Sequence, residues 1–227
     1  MTAVKHPPAA RPSGILILDD HPMTRYGIAR LIEQEPGLTL CGEAENAQCA
    51  LAAVKALKPC LVLADLSLPD GEGLEFIKDL RALHPEVAVL VVSMHDEALY
   101  AERALRAGAR GYIMKNEGGE KLVEAIRQVL QGKTYLSANM ADRVLDIFST
   151  GRRHSGDSLL GTLTDREFEV FRLIGQGLTT GEISERLHLS PKTVETHRLH
   201  VRQKLQLRSG PALIKYAVHW AGAQKLT

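Results

Sequence analysis

The feature that most constrains this chain is a regular alternation, over residues 15–131, of short apolar segments with segments of helical spacing. The apolar segments lack polar alternation, which is typical of parallel strands that are covered on both faces. The connections between the segments are short, as they are in βαβ units. Five strands alternating with five helices therefore predict an α/β domain with a doubly wound, five-stranded parallel sheet.

The boundaries of these elements follow from the apolar runs and from the turn residues between them. The strands are expected at Ile15–Leu18, Leu38–Cys41, Leu61–Ala64, Val87–Val92 and Tyr112–Met114. The helices are expected at Pro22–Glu35, Ala47–Leu57, Gly73–Leu83, Ala98–Ala107 and Glu120–Gln131. Gly108 follows the fourth helix, where a left-handed C-cap is expected.

Beyond residue 131 the alternation stops and an all-helical domain follows. Residues 132–161 are expected to be a linker, with a candidate short helix at Ala141–Phe148 followed by Ser149–Gly161, which is rich in Gly, Ser and charge. Thr164 with Glu167 has the pattern of a capping box, and Ser190 before a proline is a helix start. The resulting division is a disordered segment over 1–13, an α/β domain over 14–131, a linker over 132–161 and a helical domain over 162–227.

Charge separates the two halves of the chain. Residues 1–150 carry 16 basic and 20 acidic residues, a net of −4, whereas residues 151–227 carry 12 basic and 7 acidic residues, a net of +5. A basic tail domain points to a polyanionic partner. The chain has no membrane-length apolar run and its N-terminus has no apolar signal segment, so a cytoplasmic protein is expected. Its three cysteines are odd in number and lack metal-site spacing, which favours free thiols.

Polar residues follow four of the predicted strands. Asp19 and Asp20 follow the first, Asp65 the third, Ser93 the fourth and Lys115 the fifth. In a flavodoxin-like strand order, these positions converge at the carboxyl edge of the sheet. Adjacent carboxylates repel one another unless a cation joins them, and hard oxygen ligands favour Mg²⁺. An aspartate beside a metal and a lysine could accept a phosphoryl group. Taken singly, the aspartate pair could also be a helix cap and the lysine a solvated residue.

These residues resemble the receiver domain of two-component response regulators. The similarity lies in ILDDHP, LADLSLPDGEG, VVSMHD and GARGYIMK, and it covers Ile15 to Gln131. The resemblance implies that Asp65 accepts a phosphoryl group from a sensor histidine kinase, and that Lys115 and Ser93 contact the phosphoryl oxygens. It also implies a Mg²⁺ site formed by Asp19, Asp20, Asp65 and the backbone carbonyl of Ser67. Tyr112 matches the family's switch aromatic, although a plain core role is the alternative.

The third helix of the tail domain has two distinct faces. Val194, His197, Val201 and Leu205 recur at helical spacing and predict a buried face. The opposite face mixes hydrogen-bonding and apolar side chains with flanking cations, which suits a major groove. From this helix alone, a solvated face of a small bundle is equally acceptable.

The segment from Leu163 to Leu207 is similar to the LuxR-type DNA-binding domain, in which this helix is the recognition helix. The resemblance implies candidate DNA contacts at Lys192, Glu195, Thr196, Leu199 and His200, and phosphate contacts at Arg198, Arg202 and Lys204. One departure is the pair Thr180-Gly181, where the family often has Asn-Lys. A cation for the DNA backbone is then missing, and glycine weakens the helix start.

Together the two similarities identify the chain as a member of the NarL/FixJ subfamily of response regulators. The subfamily implies a Mg²⁺-dependent phospho-accepting regulator rather than an enzyme with turnover. The implied partners are a sensor histidine kinase, double-stranded DNA, a second copy of the chain and RNA polymerase, with no membrane. Two alternatives stay open. An aspartate phosphatase would usually have a second acid at Ser67, and a phosphate-independent regulator would use the receiver for dimerisation only.

Overall fold

The computed structural model describes residues 12–68, 73–138, 140–142 and 159–224. Its N-terminal half is a parallel sheet in the order β2-β1-β3-β4-β5, which confirms the doubly wound, flavodoxin-like prediction. The strands are β1 (Ser13–Leu18), β2 (Leu38–Ala44), β3 (Leu61–Ala64), β4 (Ala88–Ser93) and β5 (Gly111–Met114). The helices are α1 (Pro22–Gln34), α2 (Ala47–Leu57), α3 (Gly73–Leu83), α4 (Glu97–Ala107) and α5 (Gly119–Leu130).

The central strands are apolar throughout because helices cover both faces of the sheet. In β1, Ile15 and Ile17 pack in the layer that contains α1 and α5. Leu16 and Leu18 pack in the layer that contains α2, α3 and α4. Side chains of a strand alternate between faces, so every position of such a strand must be apolar.

Strand β2 is longer than the sequence predicts. Its register against β1 shifts between Ile15 and Leu16, and beyond the shift Gly42 to Ala44 pair with Leu16 to Leu18. The polar and small residues of this second half gave no strand signal, because β2 is an edge strand and only partly buried. At the end of α4, Gly108 has a φ of +124°, in agreement with the expected left-handed turn.

The C-terminal half is helical. A 3₁₀ turn at Leu160–Thr162 precedes α6 (Asp165–Gly175), α7 (Thr180–Arg186), α8 (Pro191–Lys204) and α9 (Gly210–Gln224). The 3₁₀ turn is new relative to the prediction, which assigned Leu160 to the linker although its side chain is buried. Residues 1–11 of the predicted N-terminal segment and most of the predicted helix at Ala141–Phe148 lie outside the described residues, whereas Ser13 is the first residue of β1.

Side-chain caps fix the starts of the tail helices. The capping box of Thr164 with Glu167 is present at α6, and the Ser190 side chain accepts a hydrogen bond at the start of α8. A second capping box, of Thr179 with Glu182, begins α7. It offsets the weak helix propensity of the glycine in the first turn of α7.

The three cysteines are free, which agrees with the sequence-based expectation. Among the described helices, none combines the length and the apolar character needed to cross a membrane.

Glu167 links α6 to α8 of the tail domain, and its ionisation is expected to make the stability of this domain depend on pH. Its buried carboxylate accepts hydrogen bonds from the Lys204 ammonium at 2.6 Å and from the Thr164 backbone N–H at 2.8 Å. Burial alone raises the pKa of Glu167, but these hydrogen bonds outweigh it and place the pKa below its ordinary value. The carboxylate therefore stabilises the fold above its unfolded-state pKa, and this contribution disappears as pH falls through the lowered pKa.

We expect Glu167→Gln to lower the free energy of unfolding by about 2 kcal/mol at neutral pH. The difference from the wild type should shrink toward zero in acid, when both side chains are neutral. Urea titrations followed by the fluorescence of Trp220, the only tryptophan, measure it at each pH. A difference that stays constant down to the lowest pH would contradict the assigned role of the carboxylate.

Candidate functional site

The carboxyl edge of the sheet brings together the acids and the lysine that the sequence singled out. Asp19 and Asp65 are buried, at 2% and 1% exposed. The Lys115 ammonium lies 2.7 Å from Oδ2 of Asp19 and 2.6 Å from Oδ2 of Asp65. Burial lowers the pKa of Lys115, but the hydrogen bonds and charges of the two aspartates outweigh it and raise that pKa. Lys115 is therefore a fixed positive charge between two carboxylates.

Next to this pair lies an arrangement suited to a divalent cation. One ligand atom each from Asp19, Asp20, His21 and Asp65 can be chosen so that all lie within 4.8 Å of one another. Oδ1 of Asp20 is buried and makes no hydrogen bond among the described residues, although Nδ1 of His21 is 2.6 Å away. Three carboxylates against one ammonium leave an excess of negative charge. The oxygen donors fit Mg²⁺, whereas His21 was not anticipated from the sequence.

Both carboxylate oxygens of Asp65 are held in place. Oδ1 accepts a hydrogen bond from the backbone N–H of Ser67 at 3.0 Å, while Oδ2 faces Lys115. Ser93 is fully buried at the end of β4, and its Oγ accepts the backbone N–H of His95 at 3.2 Å. A buried, oriented carboxylate beside a lysine and a hydroxyl is chemically equipped to accept an electrophilic phosphoryl group.

Tyr112 is fully buried at the middle of β5, and its hydroxyl donates to the backbone carbonyl of His95 at 2.8 Å. Burial raises the pKa of Tyr112 well above its ordinary value, so the phenol is neutral at physiological pH. The ring packs in the core layer that contains α4, and its hydroxyl reaches the loop before that helix. This position fits a packing role and a switch role alike.

His95 connects the pocket to the helical domain, a link that sequence reasoning missed. Its Nε2 lies 3.1 Å from Oγ of Ser67, and its ring stacks on Tyr100 with centroids 4.5 Å apart. Tyr100 in turn meets the edge of Phe168 of α6 at 5.2 Å. Burial, with a smaller contribution from Arg172, lowers the pKa of His95 to about 4, so the imidazole is neutral. A continuous chain of contacts thus leads from the residue two positions after Asp65 to α6.

Arg103 of α4 fastens the same two domains together. Its guanidinium donates to the backbone carbonyls of Leu160 and Leu163 at 2.8 and 2.9 Å and contacts the Asp165 carboxylate at 3.1 Å. The guanidinium carbon also lies 4.4 Å from the centre of the Phe168 ring. No sequence signal marked Arg103, because its partners lie about 60 residues away.

The recognition helix α8 presents the predicted two faces. Val194 and Val201 are fully buried and Leu205 is nearly so, while His197 is half-buried and burial lowers its pKa. The candidate base-contacting side chains are all exposed, namely Lys192, Glu195, Thr196, Leu199 and His200. This face therefore stays open to solvent although the two domains are docked.

Two of the three cations assigned to phosphates are already engaged. The Lys204 ammonium is held by buried Glu167, which favours a structural role over a DNA contact. Arg198 is largely covered and lies 3.5 Å from Oε1 of Glu195. Arg202 is half-buried and forms no ion pair within the described part of the chain. It is the best remaining candidate for a phosphate contact.

Two family models match this chain. Residues 15–127 match the response regulator receiver domain, and residues 161–217 match the bacterial regulatory proteins of the luxR family. The oxygen regulatory protein NreC of Staphylococcus carnosus is 35% identical over 208 residues, which cover 90% of this chain and 96% of that protein. The response regulator GacA of Pseudomonas aeruginosa is 35% identical over 204 residues, with coverages of 90% and 94%.

Solved structures give the same result. RcsB of Salmonella enterica, bound to the promoter rprA in the presence of the phosphomimetic BeF₃⁻, is similar with a TM-score of 0.67 and 26% identity over 92% of this chain and 99% of that one. A LuxR-family two-component response regulator of Aurantimonas is 33% identical over 60% of this chain and 96% of that one, with a TM-score of 0.56. The chain therefore belongs to the NarL/FixJ-type response regulators, transcription factors that join a receiver domain to a LuxR-type DNA-binding domain.

Proposed function

We propose that this chain is a cytoplasmic regulator in which phosphorylation of Asp65 by a sensor histidine kinase controls dimerisation and sequence-specific DNA binding. The observation that carries the proposal is the placement of Asp65, a buried carboxylate held by Lys115 and by the Ser67 backbone N–H at the edge of an acidic pocket. A cytoplasmic location follows from the need to reach DNA. The proposed domains are a receiver over 14–131 and a DNA-binding domain over 162–227.

In the phosphoryl transfer, one carboxylate oxygen of Asp65 forms a bond to phosphorus. The bond between phosphorus and the donor's imidazole nitrogen breaks, and the imidazole leaves with that electron pair. Lys115, already charged, moves from the carboxylate to the phosphoryl oxygens. The buried Ser93 hydroxyl, at the carboxyl end of β4, would donate a further hydrogen bond to the product.

A Mg²⁺ ion would be held by Asp19, Asp20, Asp65 and the backbone carbonyl of Ser67. When bound, Mg²⁺ supplies positive charge that offsets the charge developing on the phosphoryl oxygens. The buried Oδ1 of Asp20, which has no hydrogen bond among the described residues, and the net negative charge of the cluster support this assignment.

Coupling to the tail would start with the loops that end β3 and β4. To donate a hydrogen bond to the phosphoryl group, the Ser93 hydroxyl would move toward the pocket, and this movement would change the hydrogen bond that its Oγ now accepts from the His95 backbone N–H. Movement of His95 would disturb its contacts with Ser67, Tyr100 and the hydroxyl of Tyr112. These contacts support Tyr112 as the proposed switch residue between the pocket and α4.

The DNA-binding face would be formed by Lys192, Glu195, Thr196, Leu199 and His200 in the major groove, with Arg202 at a phosphate. Two copies of the chain would bind half-sites about 34 Å apart or a multiple of that distance. RNA polymerase is the expected further partner of a promoter-bound dimer. The promoter complex of RcsB with a phosphomimetic supports this reading.

The test is DNA binding by the full chain before and after incubation with acetyl phosphate and Mg²⁺. Duplexes selected from a random library serve as ligand, and gel shift gives the affinity. We expect affinity to rise after incubation and the increase to disappear when EDTA is added first. Equal binding in all samples would contradict the phospho-switch and favour a phosphate-independent dimer.

Arg202 gives a further prediction. If its guanidinium neutralises one phosphate, Arg202→Ala should weaken binding to every sequence and reduce the slope of log K against log salt by about 1. The measurement is fluorescence anisotropy of one duplex over a salt series. Arg186→Ala, in the neighbouring helix α7, is the charge-matched control. An unchanged slope for Arg202→Ala would refute the phosphate contact.

A further inference from the structure

Thr180, of the pair Thr180-Gly181 that departs from the family pattern, contacts the recognition helix because α7 packs against α8. The Thr180 hydroxyl donates a hydrogen bond of 2.6 Å to Oε1 of Glu195. Nη1 of Arg198 lies 3.4 Å from the same hydroxyl, and Nε of Arg198 lies 3.5 Å from the same carboxylate oxygen. One oxygen of Glu195 is therefore held from two sides.

The second oxygen of Glu195 remains available. Oε2 has no hydrogen bond from any residue that the structure describes, and the side chain is 60% exposed. Glu195 lies on the open face of α8, one helical turn from Lys192 and from Leu199. The recognition helix thus offers an oriented acceptor whose side-chain freedom has been restricted before DNA arrives.

An ionised carboxylate only accepts hydrogen bonds, so it selects among bases by their donors. In the major groove, cytosine offers its N4 amino group as a donor, whereas guanine and thymine offer acceptors at the corresponding edge. Adenine places an N7 acceptor beside its amino group, and this acceptor would repel the carboxylate. Among the four bases, cytosine therefore fits best.

We propose that Glu195 reads the N4 amino group of a cytosine, with Thr180 and Arg198 as positioning residues. This inference rests on the proposed DNA-binding function. Arg198 also offsets the repulsion between the Glu195 carboxylate and nearby phosphates, which explains why this arginine is turned toward the helix surface rather than outward. Thr180 supplies orientation where the family often has an asparagine.

The experiment is selection of duplex DNA from a random library by the full chain after incubation with acetyl phosphate and Mg²⁺, followed by anisotropy on single-base-pair variants of the selected site. For the wild type we expect one position at which C·G is preferred. Glu195→Ala should reduce that preference about ten-fold and leave the other positions unchanged. Glu195→Gln should also relax it, because an amide can both donate and accept.

The positioning role is tested separately. Thr180→Val removes the hydroxyl at similar volume and should weaken the preference at the same base pair, whereas Thr180→Ser should restore it. For the Glu195 variants, Glu185→Gln removes one negative charge from an exposed residue of α7 and controls for net charge. Circular dichroism checks that each variant is folded.

The outcomes separate the inference from the function beneath it. If Glu195→Ala selects the same site with the same cytosine preference, the inference is wrong and DNA binding stands. If the wild type enriches no sequence, the proposed sequence-specific binding is itself refuted. If Glu195→Ala loses the cytosine preference and Thr180→Val keeps it in full, the positioning role of Thr180 is wrong.

Discussion

Replacing Asp65 by alanine is expected to abolish the phosphoryl adduct that the wild type forms with acetyl phosphate and Mg²⁺. The expected loss is complete, because the new bond is made by the Asp65 carboxylate itself. We expect neither Asp19 nor Asp20 to substitute, since Asp19 is bound to Lys115 and to the backbone N–H of His21 and both residues are proposed ligands of the cation. Intact-mass spectrometry of the two proteins measures the adduct directly.

Asp79→Ala is the matched control, because Asp79 is an exposed carboxylate on α3 of the same domain. It should carry one phosphoryl group, as the wild type does. Asp65→Asn, which keeps the shape of the side chain, should also lose the phosphate-dependent increase in DNA affinity. An adduct of unchanged size on Asp65→Ala would place the acceptor elsewhere and refute the proposed chemistry.

The second large effect is expected for Arg103→Ala, at the contact between the two domains. The change removes hydrogen bonds to the Leu160 and Leu163 carbonyls, the ion pair with Asp165 and the contact with the Phe168 ring. Charged hydrogen bonds contribute roughly 1.5–3 kcal/mol each, so the interface should lose about 3 kcal/mol or more. The domains should then separate, and small-angle X-ray scattering should record a larger radius of gyration.

Arg106→Ala is the control for this experiment. Arg106 lies one turn further along α4 and pairs with Glu102 of its own helix, so its loss should leave the scattering curve unchanged. Circular dichroism should give the same helix content for both variants, because neither side chain lies in a domain core. A wild-type scattering curve for Arg103→Ala would show that the remaining contacts, which include the Tyr100–Phe168 ring contact and the Lys78–Asp165 ion pair, are sufficient to hold the domains together.

Local sequence information was sufficient for most of the fold. The bounds of α2, β3 and α3 agree with the prediction residue for residue, because apolar runs and turn residues there act within one element. β2 was predicted too short, since its second half depends on pairing with β1 after a register shift. An edge strand is only partly buried, so fewer of its residues need to be apolar. Its ends are therefore harder to recognise from the apolar pattern of the sequence.

The same distinction explains what was missed in the site. The acids and Lys115 could be anticipated because strand ends are placed together by the topology of the sheet. Arg103, the contact of His95 with Ser67 and the bond from Thr180 to Glu195 depend on packing between distant segments. Such contacts have no period and no fixed spacing, so a single sequence does not mark them.

The exposure of the recognition helix in the docked molecule has a consequence for how the regulator would respond to its signal. Since Lys192, Thr196 and Leu199 are open to solvent without any opening of the domains, a single half-site is accessible to either phosphorylation state. Phosphorylation would then promote dimer formation. The dimer would make binding to paired half-sites more cooperative, so the binding curve would become steeper. The affinity of one DNA-binding domain for a single half-site would be the same with and without phosphorylation.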